Sequence, residues 1–77
     1  MDKLVVMPKM GMTMEYGTIS EVFVKPGDMV NKGDPLMEFE TNKMTETIDA
    51  PCAGQVMAVR AVDEEVPVGQ PVCHIKY

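Results

Sequence analysis

Gly17-Thr18-Ile19-Ser20-Glu21-Val22 and, a little further on, Val30-Asn31-Lys32-Gly33-Asp34-Pro35-Leu36-Met37-Glu38-Phe39 are stretches that this chain uses twice in altered form. Gly17-Thr18-Ile19 returns as Gly54-Gln55-Val56, 37 positions on (17 to 54), and Val22 returns as Val59. Past a one-residue deletion, Val30, Gly33, Pro35, Leu36 and Phe39 return as Val66, Gly69, Pro71, Val72 and Ile75, 36 positions on (30 to 66). Upstream, Val5 and Pro8 return as Ile48 and Pro51, 43 positions on (5 to 48). The first half therefore carries about six additional residues (43 against 37) at positions 9–14, an insertion that a surface loop absorbs readily. Two similar halves, neither able to close a core alone, should pack as interlocked sheets related by a pseudo-two-fold axis.

The repeated unit reads as β-strand. Turn-forming residues recur at short intervals in Pro26-Gly27-Asp28, Lys32-Gly33-Asp34-Pro35, Ala53-Gly54 and Val68-Gly69-Gln70-Pro71. Between them lie runs rich in β-branched and other apolar residues at 4–7, 18–24, 36–41, 45–50, 55–62 and 71–75. Short strands at this spacing predict an all-β sandwich or barrel. Met37, Phe39 and Thr41 alternate with Leu36, Glu38 and Glu40; Ile48 and Ala50 alternate with Thr47 and Asp49, although Glu46 breaks the apolar row. Met37, Met44 and Ile48 could instead share a helical face. The threonines, Phe39 and the turn-suited Asn42-Lys43 favour a hairpin there. Under the repeat, Glu40 falls on Lys76, so the Lys43 turn and the chain ends should occupy opposite poles. The insertion after Pro8 should lie beside the turn.

Size and charge narrow the function. Seventy-seven residues form one small domain, 1–77, which buries only about 60 % of its unfolded surface and has no room for a deep cleft with a lid. This favours a binding or carrier module over a self-sufficient enzyme. Twelve acidic against seven basic residues give a net charge of −5, which disfavours nucleic acid and anionic membrane as partners. No apolar run approaches the roughly 20 residues of a membrane span, and residues 1–3 lead straight into a strand without a secretory leader pattern, so a cytoplasmic location is expected. Cys52 and Cys73 lack companions at ligand spacing, which leaves no metal site and no disulfide framework. His74 alternates with Cys73 along a strand and should face the other way, toward solvent or rim.

Lys43 has no chemistry of its own. An exposed lysine amine, with a pKa near ~10.4, is protonated at neutral pH, and Glu40 and Glu46 would only favour the charged form. By composition alone it is one more solvated side chain. A use for it would be as an attachment point, acylated within another enzyme's site.

Three segments change that reading. Met7-Pro8-Lys9-Met10-Gly11-Met12-Thr13-Met14-Glu15-Tyr16-Gly17-Thr18-Ile19, Val24-Lys25-Pro26-Gly27-Asp28-Met29-Val30-Asn31-Lys32-Gly33-Asp34-Pro35-Leu36 and Glu40-Thr41-Asn42-Lys43 resemble, in register over nearly the whole chain, a lipoyl domain of the biotinyl/lipoyl carrier family. The resemblance implies a flattened β-barrel, or barrel-sandwich hybrid, of two four-stranded antiparallel sheets with internal pseudo-two-fold symmetry. It implies lipoic acid bound covalently to Lys43, with Glu40, Thr41, Asn42 and Met44 read by a lipoate ligase or lipoyl transferase. Met10, Gly11 and Met12, in the loop of residues 9–16, would help a partner dehydrogenase recognise the domain. Gly27 and Gly54 would be turn glycines, where a Cβ is costly. Exposed Met10, Met12, Met14 and Met44 would form a soft apolar surface near the lysine.

The family likeness further implies a swinging arm that carries acyl groups and reducing equivalents between active sites of a 2-oxo acid or acetoin dehydrogenase complex. Its partners would be a thiamine-diphosphate-dependent dehydrogenase, an acyltransferase core and dihydrolipoamide dehydrogenase, and the isolated domain would be a monomer without catalysis of its own. Asn42 and Met44 depart from the usual lipoyl flanks, Asp before the lysine and a small residue after it; Met44 is biotin-like. A biotinyl carrier of a carboxylase or decarboxylase is therefore the alternative, while Thr41 and the inserted loop favour lipoyl. Barrel-sandwich adaptors of efflux pumps, which interrupt this hairpin with a helical insertion and lack the lysine, fit less well.

Overall fold

The computed structural model describes residues 1–42 and 44–77. The described residues form eight strands and no helix: β1 (Asp2–Val6), β2 (Tyr16–Val22), β3 (Met29–Val30), β4 (Pro35–Glu40), β5 (Thr45–Asp49), β6 (Gly54–Val59), β7 (Glu65–Pro67) and β8 (Pro71–Lys76). They make two four-stranded antiparallel sheets, ordered β1-β8-β6-β3 and β5-β4-β2-β7. The sheets stack as a flattened barrel-sandwich, 33 × 19 × 18 Å.

Both sheets contribute to one core. Ile19, Leu36, Met37 and Phe39 come from one sheet, and Val56, Val72, Cys73 and Ile75 from the other. Burying each large side chain contributes roughly 1.5–3 kcal/mol, so this cluster is what a 77-residue chain has to set against its conformational entropy.

The internal repeat is present in the hydrogen bonds themselves. Gly27 N–H donates to the Val56 carbonyl at 2.7 Å, and Asp63 N–H donates to the Ile19 carbonyl at the same 2.7 Å. Gly33 N–H reaches the Ala50 carbonyl at 2.8 Å, matched by Gly69 N–H on the Met7 carbonyl at 2.9 Å. Even the irregularities correspond: the β2–β4 ladder shifts register between Ile19 and Glu21, the β6–β8 ladder between Val56 and Ala58. Phe23 N–H bonds Leu36 and Arg60 N–H bonds Val72, while Lys25 N–H bonds Asp28 Oδ2 and Ala61 N–H bonds Glu64 Oε2. Position 23 thus matches 60 and 25 matches 61, which makes Val24 the residue without a counterpart.

The structure corrects the sequence reading in four places. β3 and β7, only two and three residues long, were absent from the six expected runs because no alternation can be read over so short a span. Both sit at sheet edges, where Pro67 is tolerated because its missing N–H breaks no inner ladder. The run 55–62 stops at Val59, where residues 61–64 turn through Asp63 at a φ of 74°. Leu36 and Met37 are both buried, since the β4–β5 ladder shifts register between Pro35 and Met37 and turns consecutive side chains inward.

The two poles follow from this topology. Met1 and Tyr77 bond each other, the terminal amine to the Tyr77 carbonyl at 2.7 Å and Tyr77 N–H to the Met1 carbonyl at 2.8 Å. Lys76 pairs with Gln55 at the start of β6, which follows the Asp49 end of β5 and not its Thr45 end. Thr41, Asn42 and Met44 lie at the other pole, where β2 begins.

Candidate functional site

At the hairpin pole, Glu40 pairs with Thr45 as the last rung between β4 and β5 and with Thr18 of β2 on its other side. Beyond that rung, Thr41 N–H donates to the Met44 carbonyl at 2.9 Å, and the Thr41 hydroxyl donates to the same oxygen at 3.4 Å. The turn is thereby closed at its base, with Asn42 exposed and Thr41 half-buried. Lys43, the expected attachment residue, lies outside the described residues.

The inserted loop packs against this turn. It is anchored at one end by paired bonds between Met7 and residues 69–70, and at the other by Val68 N–H on the Glu15 carbonyl at 3.0 Å. Between the anchors, Met14 N–H donates to the Gly11 carbonyl at 3.2 Å, and Met10 N–H donates to the Met14 thioether Sδ at 3.3 Å. This tight return leaves a groove of about 400 Å³ between loop and turn. Met10, Gly11, Met14 and Tyr16 line one wall; Glu40, Thr41, Asn42 and Met44 line the other.

Of the residues singled out in the sequence, Met10, Gly11, Glu40, Thr41, Asn42 and Met44 therefore meet at one groove. Met12 does not: it is 94 % exposed at the loop tip and outside the groove lining. Met14, expected on the surface with its neighbours, is half-buried against the core because the 11–14 turn folds it inward. Tyr16 and Thr18 were not singled out as site residues; the cross-strand pairing of Thr18 with Glu40 puts it there, a contact no local pattern announces.

The glycines divide. Gly27 has a φ of +98°, as a turn glycine should. Gly54 is not in a turn. It opens β6, and a Cβ there would lie 2.5 Å from the Lys76 carbonyl oxygen and 2.7 Å from an Ile75 methyl. Its repeat-mate Gly17 is similarly close to Phe39, the counterpart of Ile75, at 2.8 Å. Gly54 lets β6 and β8 approach closely, and Gly17 leaves room for the Phe39 ring and the Met7 thioether.

Titratable groups away from the pole are ordinary structural elements. Burial pushes the Cys73 thiol up, partly opposed by a backbone hydrogen bond from His74. His74 lies on the outer face, its Nε2 3.0 Å from Asp2 Oδ1. Among the described residues no cluster of three or more His, Cys, Asp or Glu side chains could hold a metal ion.

A family profile described as "Biotin-requiring enzyme" (biotin/lipoyl) matches residues 3–75. The chain is 39 % identical over 72 residues to the dihydrolipoyllysine-residue acetyltransferase component of the acetoin cleaving system of Bacillus subtilis, a match covering 92 % of this chain and 18 % of that protein. It is 37 % identical over 73 residues to the lipoamide acyltransferase component of the branched-chain alpha-keto acid dehydrogenase complex of the same organism, covering 91 % and 17 %. The chain thus spans less than a fifth of the length of these curated relatives. Among solved structures, the lipoyl domain of the 2-oxoglutarate dehydrogenase complex from Azotobacter vinelandii superposes with a TM-score of 0.75 at 19 % identity, covering 99 % of this chain and 95 % of that one. A single-chain, multi-domain long-chain acyl-CoA carboxylase gives the same 0.75 at 23 % identity, covering 95 % of this chain and 7 % of that one. With its duplicated sheets and its closed hairpin pole inside a match that runs from 3 to 75, this chain belongs to the biotin/lipoyl family.

Proposed function

We propose that this chain is a lipoyl carrier domain, which offers Lys43 for covalent attachment of lipoic acid. The observation that carries the reading is the pole at which Thr41 N–H bonds the Met44 carbonyl, with the inserted loop packed against it, in a chain with relatives named for a dihydrolipoyllysine residue. The equal likeness of the fold to a carboxylase and to a lipoyl domain does not separate biotin from lipoate; the named relatives favour lipoate.

The residues present suit such a group. The groove beside Asn42 and Met44 mixes thioethers and the Tyr16 ring with threonine, glutamate and asparagine side chains, and its apolar part is compatible with a dithiolane arm. When bound, a dithiolane supplies the acyl-accepting and electron-carrying chemistry. The chain's own part is presentation: β4 and β5 hold the turn, Thr41 closes it, and Glu40 and Asn42 offer exposed polar contacts to a modifying ligase or transferase. As a carrier it performs no turnover alone. Tethering raises the effective concentration of the arm at each partner's active site, so a small rigid domain is sufficient.

The partners that fit are those of a 2-oxo acid or acetoin dehydrogenase complex: a thiamine-diphosphate-dependent dehydrogenase, an acyltransferase core and dihydrolipoamide dehydrogenase, all in the cytoplasm. Mass spectrometry of protein purified from its native host tests the reading: a lipoyl adduct is expected on the peptide holding Lys43. Lys43→Ala should remove the adduct and abolish reductive acylation by the cognate dehydrogenase while leaving the thermal transition in place, since substitutions outside the core and its hydrogen-bond networks change stability by about 0.5 kcal/mol or less. A biotinyl adduct on that peptide would overturn the proposal.

A further inference from the structure

We propose that the free edge of β1 pairs with the same edge of a second copy of this chain, antiparallel and centred on Leu4, so that two sheets join across a two-fold axis. The inference is independent of the carrier reading and departs from the monomer that the family likeness implies.

The backbone decides which groups are free. Met1 exchanges bonds with Tyr77 in both directions, at 2.7 and 2.8 Å, and Met7 bonds Gln70 through its N–H and Gly69 through its carbonyl, both at 2.9 Å. Residues 1 and 7 thus turn both backbone groups toward β8 and the turn before it. Directions alternate along an antiparallel strand, so Lys3 and Val5 do the same, while Asp2, Leu4 and Val6 aim N–H and C=O away from β8. Among the described residues β8 is the one strand beside β1, and these outward groups meet no ladder.

The internal repeat supplies the comparison. β5 is the counterpart of β1, 43 positions on (5 to 48), and it too lies at a sheet edge. Its ends are tied alike: the Met44 carbonyl accepts from Thr41 as that of Met1 does from Tyr77, and the Ala50 carbonyl accepts from Gly33 as that of Met7 does from Gly69. The side chains differ. Where β5 sets Thr45, Thr47 and Asp49 beside its outward groups, β1 sets Asp2, Leu4 and Val6. Polar and charged side chains are how an edge resists pairing. Leu4 and Val6, exposed at 54 % and 44 %, leave β1 without most of that protection.

The register follows from the same groups. With Leu4 opposite Leu4, Asp2 meets Val6 of the second copy on one side and Val6 meets Asp2 on the other, each pair exchanging two bonds. Every outward group is then used, and the leucines meet on the axis. Shifting Leu4 onto Asp2 would leave Val6 unpaired and set Lys3 against Lys3, a like-charge pair. Shifting it onto Val6 would leave Asp2 unpaired. Antiparallel pairing also sends the two hairpin poles in opposite directions, so neither copy covers the other's. A five-residue seam is short, which places the association at the transient end, with a Kd of about 0.1–1 mM.

Sedimentation equilibrium and amide shifts of this chain, followed from about 0.02 to 2 mM, test the proposal. The mean mass should rise toward a dimer, and the amides of Asp2, Leu4 and Val6 should shift while those of Thr45, Thr47 and Asp49 stay. Each copy carries a charge of −5, so added salt should strengthen the association by screening. Leu4→Lys should weaken it at least tenfold, whereas Thr47→Lys, on the matching edge, should leave it unchanged; melting curves confirm that both variants fold. In a sample mixing labelled and unlabelled parent chain, intermolecular contacts are expected between the α-protons of Lys3 and Val5, the wide pair on either side of Leu4. A constant monomer mass up to 2 mM would overturn the pairing, as would an association that Leu4→Lys leaves intact or that salt weakens. Association without the Lys3–Val5 contacts, whether by stacked sheet faces or another edge, would overturn it equally.

Discussion

At the scale of single residues, the glycines show how differently one residue type can matter. A Cβ at Gly54 would sit 2.5 Å from the Lys76 carbonyl oxygen, a backbone atom that cannot move without shifting β8. Gly54→Ala is therefore expected to destabilise by about 1–3 kcal/mol, the range for overpacking a core. Gly11→Ala, where an added Cβ meets nothing within 4 Å, should change stability by less than about 0.5 kcal/mol. Urea unfolding of the two variants checks the contrast; equal losses would mean that the close approach of β6 and β8 is not what Gly54 serves. The cysteines give a second residue-scale prediction. Cys73 is buried, and burial raises its thiol pKa, whereas Cys52 is half-buried in the segment before β6. Because the thiolate is the reactive form, iodoacetamide should modify Cys52 in the native protein and reach Cys73 only on unfolding. Peptide mapping after timed labelling reads this directly. The sequence told that Gly54 matters but misassigned the reason: a strand crossing over another's carbonyl is a tertiary contact, and the Ala53-Gly54 pair looks locally like any turn.

At the scale of elements, the two turns that follow β2 and β6 are built alike and tuned differently. In the first, Lys25 N–H is capped by Asp28 and Gly27 takes the positive φ; in the second, Ala61 N–H is capped by Glu64 and Asp63 takes it. The Glu64 carboxyl is held below the ordinary glutamate range chiefly by the Ala61 N–H at 2.6 Å, opposed next by desolvation and then assisted by the Arg60 guanidinium. A group whose folded pKa is depressed stabilises the fold above its unfolded pKa and loses that contribution as pH falls through the folded value. Glu64→Gln should accordingly cost stability at neutral pH, and the gap between variant and parent should close as pH falls below about 4.3, the ordinary glutamate pKa. Thermal melts from pH 7 to pH 3 measure it, and a gap that stays constant would remove the charged cap from the account. These elements also mark how far the sequence could be read. The long strands, the turns and the position of the insertion were legible, because period-two patterns and glycine-proline punctuation are local. β3 and β7 were not, since two or three residues become a strand only when β6 or β2 arrives to pair with them. At the pole, Met10, Gly11 and residues 40–44 could be named in advance, whereas Tyr16 and Thr18 joined the groove through sheet packing.

At the scale of the whole molecule, the duplication dictates how the chain can and cannot be divided. Among the described residues, β2 and β4 of the first half pair with each other, but β1 has only β8 as a neighbour and β3 only β6. Within the second, β6 and β8 pair, while β5 has only β4 and β7 only β2. Severed near position 43, each half would keep a single two-stranded ribbon and lose both of its edge strands' partners. A lone two-stranded hairpin is at best marginally stable in water, and the core residues Phe39 and Ile75 would each lose the facing sheet. Peptides 1–42 and 44–77 are thus expected to be unfolded separately. Mixed at equal ratio they should recover the dispersed amide spectrum of the intact domain, with a single melting transition whose midpoint rises with concentration because association is now part of folding. A cooperative melt by either peptide alone would show that a half closes its own core, and the interlocked arrangement would then be a consequence of stable repeats and not the source of their stability.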